Sequence, residues 1–114
     1  MMHFPELPIY LYLDAVDFRK SINGLSIIVK EELGRSPFDA GLFLFCNQQR
    51  DKIKILYWDK TGFALWYKRL EKYRYKWPRS SQAAEMLLTE QQLQWLLDGY
   101  DIIGHSALEF HQIR

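Results

Sequence analysis

The chain has a single cysteine, Cys46, so no disulfide can form within it. That residue sits in the apolar run GLFLFCN, where a small buried side chain is expected. Two cysteines at metal-ligand spacing are lacking, and the three histidines are far apart or near the termini, so no zinc site is expected. The first residues, MMHFPELPIY, show no basic stretch leading into a long apolar one, and no signal peptide is expected. No apolar run approaches the roughly 20 residues of a membrane helix. A reducing cytoplasm and no membrane partner are the expectation. Repeats, low-complexity tracts and linkers are also missing.

Catalytic constellations are equally scarce. A nuclease or transposase brings carboxylates together around metal ions. The acids here are isolated and fall at capping or turn positions: Asp14, Asp17, Asp59, Glu71 and Glu90. Only Asp59 and Glu71 could approach each other, across a hairpin, and no acid-x-lysine strand signature accompanies them. Ser80 and Ser81 lack a GxSxG elbow. His105 and His111 fall in a C-terminal tail, and NGL at 23–25 is not a phosphate loop. Residue types alone indicate a protein that is not an enzyme, with no cofactor, no metal and no small-molecule substrate.

What remains is a chain of 114 residues, the length of one domain, with 48% apolar and 25% charged residues. Its periodicities outline that domain over residues 1–101, followed by a tail, 102–114. Residues 8–14 alternate as a first strand, with Ile9, Leu11 and Leu13 on one side and Tyr10 and Tyr12 on the other. Phe18, Ile22, Leu25, Val29 and Leu33 recur at helical spacing. Asp14 or Asp17 is placed to cap that helix, and Gly34 and Pro37 to end it. Gly24 costs this helix about 1 kcal/mol against alanine unless it permits close packing.

Residues 41–46 are almost continuously apolar, as in a central strand. Residues 52–58 alternate, Ile53, Ile55 and Tyr57 against Lys52, Lys54, Leu56 and Trp58. Asp59-Lys60-Thr61-Gly62 suits a tight hairpin loop, with Gly62 free to take positive φ. Phe63, Leu65 and Tyr67 then oppose Ala64, Trp66 and Lys68. After a turn at 69–71, Tyr73, Tyr75 and Trp77 alternate with Lys72, Arg74 and Lys76, and Pro78 ends the run. Thr89-Glu90-Gln91-Gln92 is a capping box ahead of the stripe Leu93, Leu96, Leu97 and Tyr100. The expected fold is α+β, a mainly antiparallel sheet of four to five strands with two helices. The order is strand, helix, three or four strands, helix, with both helices on one face.

Charge is unevenly spread. Residues 50–79 hold ten Lys/Arg and three acids, whereas the rest of the chain holds five and eleven, although the net charge is +1. The stretch WYKRLEKYRYKWPR, 66–79, has six cations and five aromatic rings in fourteen positions. Its candidate DNA-contacting residues are Lys68, Arg69, Lys72, Arg74 and Lys76, with Arg79 beside them. Arg19 and Lys20 form a second candidate. Six phosphate contacts would give a log–log salt slope of roughly −5 on duplex DNA. Exposed rings can stack on unpaired bases. However, if the basic row faces solvent, Tyr73, Tyr75 and Trp77 face the core. A solvated basic strand that discourages aggregation is the competing account of the cations. Trp58, Trp66 and Trp95 fall off the apolar rows, and Trp66 and Trp95 are candidate protein-interaction anchors.

The segments VDFRKSINGL (16–25), 42–78 and LTEQQLQWLLDGYD (88–101) together resemble a family. It is the TnpB accessory protein of the insertion-sequence family numbered sixty-six, unrelated to the RNA-guided nuclease of the same name. The shared signature is Asp17-x-Arg19-Lys20-x-x-x-Gly24-Leu25, then Trp58-Asp59-x-x-Gly62-Phe63, Lys68-Arg69-Leu70-Glu71 and Trp77-Pro78. The family often has glycine where this chain has Tyr73, and the tail beyond Asp101 is unmatched. The resemblance implies a bacterial transposition accessory protein acting beside a separate catalytic transposase and other accessory proteins. Two functions follow as expectations: backbone contact with DNA at the element ends, or docking on the transposase without DNA contact.

Overall fold

The computed structural model describes residues 6–78 and 82–102. Seven elements follow in order: β1 (Ile9–Tyr12), α1 (Ile22–Glu31), β2 (Leu42–Cys46), β3 (Lys52–Asp59), β4 (Gly62–Arg69), β5 (Glu85–Leu88) and α2 (Glu90–Leu97). They form one five-stranded sheet in the order β4-β3-β2-β1-β5. The β1–β2 pair is parallel, joined through α1, and every other pair is antiparallel. The fold is therefore α+β with two helices and a mostly antiparallel sheet.

The core has two layers, one on each face of the sheet. Ile9, Leu11, Leu42, Leu44, Ile53 and Ile55 pack with Leu93, Leu96 and Leu97 of α2. Tyr12, Phe43, Phe45 and Leu56 pack with Leu25 and Val29 of α1. The helices thus cover opposite faces, not one face as the sequence reading had it. The continuous apolar run of β2 is the reason: all five of its residues are buried, because a strand covered on both sides has no polar row.

α1 starts later than the periodicity implied. Its N-cap is Ser21, whose side chain makes no capping bond, rather than Asp14 or Asp17. Phe18 lies in the preceding loop. Gly24 does permit a close approach, since a Cβ there would meet Lys20 Cβ at 3.0 Å. Gly34, with φ +63°, turns the chain out of the helix as expected. In the β3–β4 hairpin, the residue at positive φ is Lys60 (55°), not Gly62, which pairs with Asp59 in the ladder.

The segment 72–77 is not a strand. It runs beside the sheet, and the amide of Tyr75 donates to Arg50 O at 2.7 Å instead of to a ladder partner. Tyr75 and Trp77 are buried in the α2 layer, and the indole of Trp77 donates to Tyr12 O at 3.0 Å. The fifth strand is β5, four residues that pair with β1 nearly the whole domain away. It has little alternation of its own, and its pairing depends on a distant partner. Ile102 is buried in the α2 layer, and the rest of the expected tail, 103–114, lies outside the described residues. Among the described residues, no helix is long and apolar enough to cross a membrane.

Candidate nucleic-acid interface

The loop between β1 and α1 carries the Asp17-x-Arg19-Lys20 motif. Its anchor is Lys54, in the middle of β3 and only 9% exposed. The Lys54 ammonium donates to Phe18 O at 3.0 Å and to Lys20 O at 2.8 Å. It also lies 4.7 Å from the centre of the Phe18 ring. Burial, aided by the charge of Lys52, pulls its pKa below the ordinary lysine value. Two carbonyl acceptors and an aromatic face compensate the buried charge, with no carboxylate paired to it among the described residues. The sequence reading gave Lys54 no role. The available signal was a lysine enclosed by Ile53, Ile55 and Leu56 in a strand next to the central one.

Asp17 folds its own turn. It accepts from the Arg19 amide at 2.9 Å and from the Arg19 guanidinium, Nε to Oδ2, at 2.9 Å. These bonds hold its carboxyl down at about 2. The Arg19 side chain is nonetheless 91% exposed, and Lys20 is exposed beside it. On the other side of β3, Asn47 braces the 47–52 turn: its carbonyl accepts from the amides of Asp51 and Lys52, and its amide donates to Asp51 at 2.6 Å. Between this turn and the Asp17 loop lies a cleft of about 600 Å³. Tyr67, Phe18, Lys52, Gln48, Gln49 and Arg19 are among its lining residues.

The predicted basic strip separates into three parts. Lys68 points toward the C-terminus of α2, where its ammonium donates to Leu97 O at 3.1 Å, a structural bond to a helix end. Arg69 is paired with Glu71, Nε to Oε2, at 2.8 Å. Lys72, Arg74 and Lys76 are exposed, and among the described residues none of them pairs with a carboxylate. Tyr73 stands between them at 76% exposure, whereas Tyr75 and Trp77 are buried. The expectation that the rings of this row face inward therefore holds for two of the three. Arg79 lies outside the described residues.

Trp66 and Trp95, the candidate protein-interaction anchors, are half-buried against the α2 layer of the core. The exposed rings missed by sequence reasoning are Phe38 and Tyr67, at 59% and 51%. Asp59 and Glu71 do not meet. Asp59 sits at the hairpin tip, and Glu71 lies just past the far end of β4, about 20 Å away along strands of this length. Among the described residues, no group of three or more His, Cys, Asp or Glu is placed to hold a metal. Burial drives the Cys46 thiol up to about 12, in keeping with the core position expected for it.

Two curated relatives come from Sinorhizobium fredii (strain NBRC 101917 / NGR234). The uncharacterized protein y4hO is 33% identical over 85 residues, covering 75% of this chain and 73% of the relative. The uncharacterized protein y4jC is 30% identical over 95 residues, covering 83% and 80%. No solved structure matches the chain. The family model for the IS66 Orf2-like proteins, TnpB_IS66, matches residues 7–107, past the Asp101 limit expected from the sequence. It spans the Lys54-anchored loop, the hairpin and the basic segment, and the chain accordingly belongs to the IS66 Orf2-like family, which ties it to IS66 transposition as an accessory protein.

Proposed function

We propose that the protein is a non-enzymatic factor that holds DNA during insertion-sequence transposition, working beside a separate catalytic transposase. Its phosphate contacts are Lys72, Arg74 and Lys76, with Lys20 on the β1–α1 loop and Arg19 beside it once it leaves Asp17. One observation carries this reading: three cations at alternate positions stand exposed, none of them in a salt bridge among the described residues, while Tyr75 and Trp77 turn inward. Such contacts orient a protein on nucleic acid and carry little sequence information. Lys68 is withdrawn from the contact set because its ammonium serves α2. Arg69 contributes only if it leaves Glu71.

The experiment is a mobility shift on DNA carrying the element ends, with Lys72, Arg74 and Lys76 changed together to alanine. The triple variant is expected to lose at least tenfold in affinity at low salt, since the phosphate contribution dominates such binding. Unchanged affinity overturns the reading. The rival function, docking on the transposase without DNA contact, is separated by co-purification from nuclease-treated extract at high salt. A complex that survives both treatments favours the rival.

A further inference from the structure

We infer that the nucleic acid bound here is single-stranded, with unpaired bases stacking on Tyr73 and Tyr67. This rests on the phosphate contacts proposed above and specifies the form of DNA they serve.

Tyr73 is the first clue. Its alternate neighbours Tyr75 and Trp77 are buried, yet Tyr73 is 76% exposed between Lys72 and Arg74. A lone exposed ring is ordinary on a protein surface. This one has a counterpart. Tyr67 is 51% exposed in the wall of the 600 Å³ cleft, its ring held edge-on by Phe18 at 6.4 Å between centres.

The turn after β2 joins the two rings. Asp51 O accepts from Leu70 N at 2.8 Å and Arg50 O accepts from Tyr75 N, so the turn is fastened to the segment that carries Tyr73. Its other flank lines the cleft with Tyr67. Gln49 belongs to both: it lines the cleft and the shallow depression that contains Lys72, Tyr73 and Arg74. The cleft and the depression therefore meet at Gln49, with a ring on each, cations and the amides of Gln48 and Gln49 along them, and the carboxylates of Asp17, Asp51 and Glu71 among their lining.

Each part matches a need of an unpaired strand. Phosphates require the cations. Base faces require exposed rings, and stacking tolerates any base because every base has a π-face. Exposed amides carry both donors and acceptors for base edges. The cleft falls within the range of about 300–1,000 Å³ that takes small ligands, enough for one splayed nucleotide. In a duplex the base faces are already stacked on each other, and the two tyrosines would have nothing to do.

The test is fluorescence anisotropy of the full chain with three labelled ligands of twelve positions: oligothymidine, an abasic strand with the same phosphates, and a duplex. Wild type is expected to bind oligothymidine more tightly than the abasic strand. Tyr73→Ala is expected to weaken oligothymidine binding about 5- to 150-fold, the range for loss of one stacked base, and to leave the other two ligands unchanged. Tyr73→Phe keeps the ring and should keep the affinity, and Tyr67→Ala should repeat the loss independently. Equal wild-type affinity for oligothymidine and the abasic strand, or full thymidine affinity in Tyr73→Ala, overturns the inference while leaving the phosphate contacts standing. Binding of none of the three at low salt removes both.

Discussion

The Lys54 ammonium is the charge that ties the Asp17 loop to the sheet. It is bound by the carbonyls of Phe18 and Lys20, residues more than thirty positions upstream. Lys54→Met keeps the aliphatic stem and leaves both carbonyls without their donor. The expected cost is about 1–3 kcal/mol in urea unfolding, the usual penalty for orphaned buried polar groups. Lys52→Met, at a half-buried position one pleat away, should stay within about 0.5 kcal/mol. Equal effects at the two positions would count against the anchoring role. Strand alternation in this region was legible because it is local: Ile53, Ile55 and Tyr57 do face one layer. The acceptors of Lys54 were not legible, because nothing in the local pattern indicates which distant backbone a buried lysine will meet.

Between elements, the two helices differ in how they begin. Thr89 caps α2 from both directions: its Oγ1 accepts from Gln92 N at 3.0 Å, and its amide donates to Gln92 Oε1 at 2.9 Å. The box was readable because capping is chemistry within four residues. α1 has no comparable signal: it starts at neither Asp14 nor Asp17, and Asp17 folds a turn with Arg19 instead. Thr89→Ala should cost about 1 kcal/mol in chemical denaturation, whereas Ser21→Ala, which removes no capping bond, should cost under about 0.5 kcal/mol. Reversal of that order would contradict the assignment. The misplaced strand has a related cause. Residues 72–77 alternate as a strand would, but Tyr75 and Trp77 fill the α2 layer without joining a ladder. Alternation reports two-sidedness, and an extended segment lying against a core shows it as clearly as a strand does. β5, in contrast, is brought in by its pairing with β1 and by the bidentate bond of Arg35 to Glu85, 2.9 and 2.7 Å, with Arg35 also stacked 3.9 Å over Tyr10.

For the whole molecule, the structure sets how many cations are available. Composition alone allowed six phosphate contacts and a steep salt slope. With Lys68 bound to α2 and Arg69 to Glu71, the segment retains three cations outside any salt bridge among the described residues: Lys72, Arg74 and Lys76. Three contacts from this segment predict a log–log slope of roughly −2 on a single strand and −3 on a duplex, and Lys20, with Arg19 once freed from Asp17, steepens it by roughly one further unit per contact at most. Titrations across salt concentrations read this directly, and a slope near zero would leave the basic segment a solubilising surface only. The count of cations was visible in the sequence. Which of them are free depends on where β4 ends and α2 terminates, and that is a property of the assembled fold.

The partnership of β1 with β5 has a consequence during synthesis. Ile9 faces Leu88, so the first strand made waits for one of the last. Until then, a growing polypeptide on the ribosome keeps the backbone groups of β1 open on that side, next to the aromatic and aliphatic surfaces that α2 later shields. The pairing of β5, rather than the appearance of the first hairpin, is the step that covers this edge.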